Sequence, residues 1–130
     1  MKYLKCTPNL VVSDVARSLA FYRDVLGFSL GFTVPEQAPF VFGSVTQGQV
    51  EIFFNDQKAV VEDMPAMAGK PIGGTMTLYI ETDGVDALHD KLAAGGVKIV
   101  SPLKTQFYGM REFTIADPDG WLVMFAQRVG

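Results

Sequence analysis

The sequence predicts an α+β fold in which two tandem βαβββ modules form curved mixed sheets around a groove, with the helices outside. An internal repeat supports this prediction, because an apolar strand, an acidic turn and an amphipathic helix occur at 10–28 and again at 78–97. A turn followed by an apolar strand also occurs in each copy, at 47–54 and at 119–126. Neither copy is large enough to bury a secure core alone, so the two are expected to pair.

The two copies align residue by residue. Leu10 matches Leu78 at a spacing of 68 residues. Asp14 matches Asp83 at a spacing of 69, as one extra turn residue would produce. The chain of 130 residues is therefore expected to form a single domain, with module one at 1–56, a linker at 57–72 and module two at 73–130.

Module one is predicted to contain a strand, a helix and three further strands. The first strand is expected at 3–12, and Asp14 is placed to cap the helix that follows by accepting from free backbone N–H groups. Gly27 is expected to end this helix in a left-handed conformation. The apolar stripe of the helix predicts its buried residues: Val15, Leu19, Tyr22 and Leu26. The three strands are expected at 28–34, 40–46 and 49–55.

Segment 56–74 is interpreted as the linker because it is rich in Pro and Gly and has no sustained hydrophobic period. An Asp-Pro-Asp-Gly sequence at 117–120 predicts a tight turn before the last strand. The elements of module two are expected in this order: a strand at 75–81, a helix at 85–94, a strand at 97–100, a loop at 101–109, and strands at 110–116 and 121–127.

The composition is typical of a globular protein and argues against two classes of partner. Fourteen acidic against 11 basic residues leave a net charge of −3, without the clustered basic face that nucleic acid requires. No apolar run approaches the roughly 20 residues of a membrane span, and no signal peptide is visible, so a cytoplasmic protein is expected. The single cysteine, Cys6, excludes an intrachain disulfide and is expected to be a buried, inert thiol.

Two stretches of the chain carry a family resemblance: 10–28, LVVSDVARSLAFYRDVLGF, and 111–120, REFTIADPDG. Both resemble the vicinal oxygen chelate superfamily, which includes glyoxalase I, the extradiol dioxygenases and the bleomycin resistance proteins. With the repeat, they cover nearly the whole chain, and the resemblance is closest to the bleomycin-resistance-like, metal-free branch. It implies the fold more strongly than the chemistry, because one fold supports many reactions.

The resemblance also implies where a metal would be held, because metal-using members take their ligands, mostly His and Glu, from four strand positions. These positions fall here on Thr7, Glu51, Thr75 and Met124. Only Glu51 suits a hard or borderline divalent ion, since hydroxyls bind weakly and a thioether prefers soft metals. The only histidine, His89, is expected on the surface of the second helix. Neither a metal site nor a cofactor is therefore expected.

Strand alternation predicts which side chains face the groove. Glu51 and Phe53 face it if Ile52 and Phe54 pack toward the helices. Glu51 is the only catalytic candidate, as a general base; it would otherwise balance a ligand's positive charge, pair with a nearby arginine or point to solvent. The same alternation gives the rest of the lining: Thr7, Asn9, Val11, Thr75, Thr77, Tyr79, Leu122, Met124 and Ala126.

Segment 107–111 resembles the part of bleomycin-resistance-like members in which an aromatic residue helps to form the ligand groove. Phe107 and Tyr108 offer flat faces to a planar ligand, and Arg111 is a further candidate contact. Alternatively, Phe107 closes the end of the sheet and Arg111 forms an ordinary ion pair. The phenylalanines of the 35–42 loop form the opposite wall or belong to the core.

The function expected from these observations is metal-independent binding of a small organic molecule, aromatic or cationic, with sequestration like that of bleomycin resistance. The alternative is a lyase, isomerase or dioxygenase-type enzyme of the same superfamily that uses Glu51 as base or metal ligand. A third reading is a structural or regulatory dimer without a ligand. The resemblance implies a homodimer, and closed two-fold pairing is the commonest oligomer.

Overall fold

The structure, a computed structural model, describes all residues from 1 to 130 and divides into two compact units, Met1–Ile72 and Gly73–Gly130. Each unit contains a strand, a helix and three further strands, and each sheet has four strands. The predicted α+β fold with two βαβββ modules is therefore confirmed. The single-domain organisation stays a prediction. No helix has the length and apolar character needed to cross a membrane.

The elements of unit 1 are β1 (Asn9–Val12), α1 (Val15–Ala20), β2 (Ser29–Val34), β3 (Phe42–Gln47), β4 (Val50–Asp56) and α2 (Gln57–Asp63). The sheet order is β1-β4-β3-β2, in which β1 is parallel to β4 and the other pairs are antiparallel. Helix α1 continues as a π-helical turn over Phe21–Val25, and a short 3-10 turn at Pro65–Met67 follows α2.

The core of unit 1 lies between α1 and one face of its sheet. Asp14 caps α1 as predicted, since its carboxylate accepts the backbone N–H of Arg17 at 3.2 Å. Gly27 has a positive φ of 82° where the helical segment ends, which glycine adopts without steric cost. The buried apolar residues include Leu10, Val12, Val15, Leu19, Tyr22, Val45, Ile52 and Phe54.

The elements of unit 2 are β5 (Thr77–Glu81), α3 (Val85–Ala94), β6 (Ile99–Thr105), β7 (Met110–Ala116) and β8 (Leu122–Arg128). Unit 2 repeats the arrangement of unit 1 with the sheet order β5-β8-β7-β6 and β5 parallel to β8. The predicted helix at 85–94 is confirmed. The Asp117 carboxylate accepts the backbone N–H groups of Asp119 and Trp121, both at 2.9 Å, and so fixes the predicted turn before the last strand.

The first strand was predicted too long. It begins at Asn9, because Pro8 accepts the N–H of Phe53 at 2.9 Å but has no N–H to return. Residues 1–8 lie outside the sheet, and Cys6 is exposed. The prediction of a buried thiol was therefore wrong.

Two segments expected to be irregular contain regular structure. The predicted linker holds α2, which Asp56 caps by accepting the N–H of Ala59 at 3.1 Å. The predicted loop at 101–109 belongs to β6 as far as Thr105. This strand tolerates Pro102 because it lies at the edge of its sheet, next to shifts in register.

Candidate functional site

Strand β4 divides its side chains between the two faces of the unit 1 sheet. Ile52 and Phe54 are buried on the face that packs on α1, whereas Glu51 and Phe53 alternate with them. Asn9 pairs in register with Phe53 across β1 and β4. The structure therefore brings Asn9, Glu51 and Phe53 together on the face opposite α1, as strand alternation predicts.

Three phenylalanines form the aromatic cluster of unit 1: Phe32, Phe42 and Phe53. Phe32 stacks on Phe42 with ring centroids 5.1 Å apart, and Phe53 meets Phe42 edge-on at 5.0 Å. Phe32 is 56% exposed, so the cluster offers an open aromatic surface. Sequence reasoning missed Phe32 because a register shift between Leu30 and Thr33 interrupts the alternation of β2.

Glu51 forms an ion pair with Lys5, a residue that the sequence did not single out. The Glu51 side chain is 21% exposed and that of Lys5 is 59% exposed. Glu51 therefore forms an ion pair, which was one of the expected alternatives, but its partner is a lysine and not an arginine. The pair remains open to solvent, so it contributes little to stability.

A pocket of about 310 Å³ lies at one end of the aromatic cluster, where α2 approaches the sheet. The side-chain amide of Asn55 donates a hydrogen bond to the side-chain carbonyl of Asn9 at this place. Polar amides and an aromatic ring thus meet in one cavity. Its lining residues are Asn9, Val41, Phe42, Asn55, Ala59, Val60, Asp63 and Met64.

The unit 2 sheet also presents a face opposite its helix. Val123 is buried, whereas Leu122 and Met124 alternate with it and are only half-buried. Thr77 and Tyr79 of β5 stand in register with Leu122 and Met124. These four predicted site residues therefore share one face within unit 2.

A tyrosine–carboxylate cluster, formed by Tyr79, Tyr108 and Glu112, lies on the same face. The Tyr79 hydroxyl donates to Glu112 Oε2 at 3.0 Å, and the Tyr108 hydroxyl donates to Oε1. Glu112 is only 5% exposed, whereas each tyrosine is about half exposed. Sequence reasoning missed Glu112, although its alternation with the core residue Phe113 on β7 would have placed it opposite the helix.

The two tyrosines remain neutral phenols across the physiological pH range. The hydrogen bond to Glu112 raises the pKa of Tyr108 to about 12. Burial, followed by the hydrogen bond to Glu112, raises the pKa of Tyr79. The Glu112 carboxylate adds to both shifts, because loss of either phenol proton would place a second negative charge beside it.

Arg111 points away from this cluster. Its register partner is Gln127, on the helix side of the sheet, and its Nε donates to Asp86 of α3 at 2.8 Å. Arg111 therefore forms an ordinary ion pair, as the alternative interpretation predicted, and does not face the tyrosine–carboxylate cluster. Phe107 is fully exposed in the β6–β7 turn, with its ring centroid 5.2 Å from that of Tyr108.

The residues at the four metal-ligand positions do not fit a glyoxalase-type centre. Thr7 and Thr75 precede β1 and β5 and offer only hydroxyls, Met124 offers a thioether, and Glu51 is engaged by Lys5. No group of three or more His, Cys, Asp or Glu side chains is placed to hold a metal ion. His89 lies on α3, where its ring meets Phe113 edge-on at 5.1 Å.

Comparison with known protein families identifies one family model that matches residues 5–125, described as the Glyoxalase/Bleomycin resistance protein/Dioxygenase superfamily. A bleomycin resistance protein from Geobacillus stearothermophilus is 30% identical over 129 residues, which cover 97% of this chain and 98% of that protein. A bleomycin resistance protein from Staphylococcus aureus matches to the same extent.

Solved structures show the same similarity. The bleomycin-binding protein from Streptomyces verticillus, complexed with copper(II)-bleomycin, has a TM-score of 0.66 at 25% identity, covering 100% of this chain and 98% of that chain. A virulence protein from Salmonella typhimurium has a TM-score of 0.75 at 27% identity, covering 99% of this chain and 100% of that chain. Both similarities extend over nearly the full length of each protein.

Proposed function

Since the chain belongs to the glyoxalase/bleomycin resistance protein/dioxygenase superfamily, we propose that it binds a small organic molecule and acts by sequestration, without a metal ion of its own. Bleomycin resistance proteins at 30% identity and a bleomycin-binding structural neighbour support this choice within the superfamily. The donor set at the metal-ligand positions supports the metal-independent part of the proposal.

The single observation that carries the proposal is the aromatic cluster of unit 1. Its three rings lie within 5.0 to 6.4 Å of one another, and Phe32 is 56% exposed. Aromatic pairs contribute roughly 0.5–1.5 kcal/mol beyond the area that they bury, so a planar ligand gains from stacking on this surface. A contiguous apolar surface of this kind is typical of a binding site.

Polar groups on the same face would orient the ligand. Asn9 and Glu51 lie beside Phe53, and they supply an amide and a carboxylate. We propose that Glu51, already paired with Lys5, recognises charge rather than transfers a proton. In the enzyme alternative, Glu51 would instead be the base or a metal ligand.

The face of unit 2 opposite α3 is a separate candidate binding surface, proposed on its own residues. It offers a mixed surface of hydroxyl, thioether and aliphatic groups, which suits an organic molecule held by a few polar contacts. The proposed contacts on this face are Thr77, Tyr79, Tyr108, Leu122 and Met124.

A thermal-shift screen tests the proposal, followed by calorimetry on any compound that stabilises the protein. Suitable compounds are bleomycin, copper(II)-bleomycin and neutral or cationic planar aromatics. A ligand at 100 times its dissociation constant stabilises a native protein by about 2.7 kcal/mol. Phe32→Ala removes the most exposed ring of the cluster and is expected to weaken binding about tenfold, or 1.4 kcal/mol.

Tyr3→Ala is the matched control, because Tyr3 is a 92% exposed aromatic residue outside the sheet. This variant is expected to bind like the unaltered protein. The proposal is wrong if no organic compound stabilises the protein, or if Phe32→Ala leaves every affinity unchanged.

A further inference from the structure

Glu112 is a buried carboxylate that forms no ion pair. It is 5% exposed, and its two oxygens each accept one hydrogen bond from a neutral phenol. Lys104 stands opposite Glu112 in the β6–β7 register, yet it is exposed and forms no ion pair with it. Buried charges in proteins are usually paired or bound to a metal, because an isolated charge is costly to remove from water.

The hydrogen-bond directions leave the tyrosine–carboxylate cluster with acceptor positions and no free donor. Each phenol has a single proton, and in Tyr79 and Tyr108 that proton is donated to Glu112. The two phenol oxygens therefore retain only acceptor positions. Each carboxylate oxygen also keeps an acceptor position, since an ionised carboxylate accepts about four hydrogen bonds. The cluster thus favours N–H donors and disfavours anions and other pure acceptors.

The two ring faces beside the carboxylate also favour a positive charge, although Arg128, on the same face of the sheet, already places one cation near Tyr79. The rings of Tyr79 and Tyr108 are each 47% exposed and offer their faces beside the hydroxyls. Cations bind favourably over such faces, by about 0.5–2 kcal/mol depending on solvent exposure. Planar amidinium and guanidinium groups additionally present two parallel N–H donors, which match paired acceptors.

We infer that the tyrosine–carboxylate cluster of unit 2 is a recognition site for an organic cation that carries N–H donors, of the amidinium or guanidinium class. The inference rests on the proposed function, because it assumes a small organic ligand, but it concerns a different group of residues from the aromatic cluster. In this inference, the negative charge of Glu112 selects the ligand.

The test compares benzamidinium with benzamide, two planar probes of similar shape that differ in charge and in their donor groups. Calorimetry on the full chain is expected to show benzamidinium binding at least about tenfold more tightly. Glu112→Gln keeps the shape of the side chain and removes its charge. It is expected to weaken benzamidinium about tenfold and to change benzamide by less than about twofold.

Two further variants sharpen the comparison. Glu62→Gln makes the same change of charge at an exposed position on α2 and is expected to leave both affinities unchanged. Lys104→Ala removes the cation opposite Glu112 and is expected to tighten benzamidinium binding. If Glu112→Gln fails to fold, Tyr79→Phe replaces it. This variant keeps the ring, removes the phenol oxygen and frees one acceptor position on Glu112, so it is expected to change the affinity for benzamidinium severalfold and that for benzamide by less than about twofold.

The inference is overturned if benzamidinium binds no more tightly than benzamide, or if Glu112→Gln and Tyr79→Phe both leave its affinity unchanged. Equal binding of the two probes would reject the cation site and leave the proposed function standing. If neither probe binds, the inference also fails. The proposed function fails with it only if the planar compounds and bleomycin do not bind either.

Discussion

Phe32 is held in its exposed position by the residue before it. A side chain on Gly31 would place its Cβ 2.1 Å from the Ser44 hydroxyl oxygen, so glycine is the residue that fits. The buried Ser44 hydroxyl in turn accepts the backbone N–H of Phe32 at 3.0 Å. A contact between two small residues thus sets the aromatic surface that carries the proposed function.

Gly31→Ala is expected to displace Ser44 and to break its hydrogen bond with Phe32. Leaving a buried polar group unsatisfied costs about 1–3 kcal/mol, so the free energy of unfolding measured in urea should fall by that amount. Affinity for planar ligands should fall as well. Gly74→Ala is the control, since no atom lies within 4 Å of a Cβ there and its φ is not positive. A Gly31→Ala protein with unchanged stability would contradict this account of Phe32.

Tyr108 should titrate abnormally because its proton is held by Glu112. Its pKa is raised to about 12, so this interaction stabilises the folded state below the ordinary tyrosine pKa of about 10 and is lost as pH rises through about 12. Tyrosinate absorbance should therefore contain a component that titrates near pH 12 and that Tyr108→Phe removes. In Glu112→Gln, Tyr108 should titrate closer to the ordinary tyrosine pKa. An unchanged late titration of Tyr108 would contradict its hydrogen bond to Glu112.

Single residues also show which parts of the candidate site could be predicted from the sequence. Alternation on β4 placed Glu51 and Phe53 on one face because Ile52 and Phe54 are strongly apolar. The same reasoning gave no sign of Lys5, since its contact with Glu51 joins residues 46 positions apart. Hydrogen bonds of this kind depend on tertiary placement, which no local pattern records.

Among the elements, those with a sustained hydrophobic period were the ones predicted well. Helix α3 has such a period and was placed correctly at 85–94. Helix α2 has only seven residues and no buried side chain, so its sequence resembled a linker. The edge strand β6 contains Pro102, which argued for a loop although an edge position tolerates it.

Helix α2 should depend strongly on its cap, because it buries no side chain. Asp56→Ala removes the carboxylate that accepts the N–H of Ala59 and is expected to destabilise the helix by about 1 kcal/mol. Hydrogen exchange of the amides at 57–63 should therefore become faster. Asp63→Ala, at the other end of α2, serves as the control. Equal protection in the Asp56→Ala and unaltered proteins would contradict the capping role.

For the whole molecule, we propose that the chain forms a homodimer. The family resemblance favours pairing, and closed two-fold symmetry is the commonest oligomer. Sedimentation at micromolar concentration should give twice the monomer mass of 14.2 kDa. A single species at the monomer mass would reject the dimer.

The repeat made the two βαβββ units predictable, because it recurs over nearly the whole chain, and the two units share one strand order in the structure. The chemistry was less predictable, since the chemistry of a superfamily member depends on a few side chains within a shared fold. Here the decisive ones are the donors at the metal-ligand positions and the aromatic cluster of unit 1, whose side chains must be located individually.

The most direct test of the central claim, metal-independent binding of a small organic molecule, is calorimetry on protein from which metal ions have been removed by a chelator. The ligand is the tightest compound from the thermal-shift screen. The account predicts that its affinity is the same before and after chelation and falls about tenfold in Phe32→Ala. Binding that disappears on chelation, returns with added divalent metal and is lost in Glu51→Ala would contradict it.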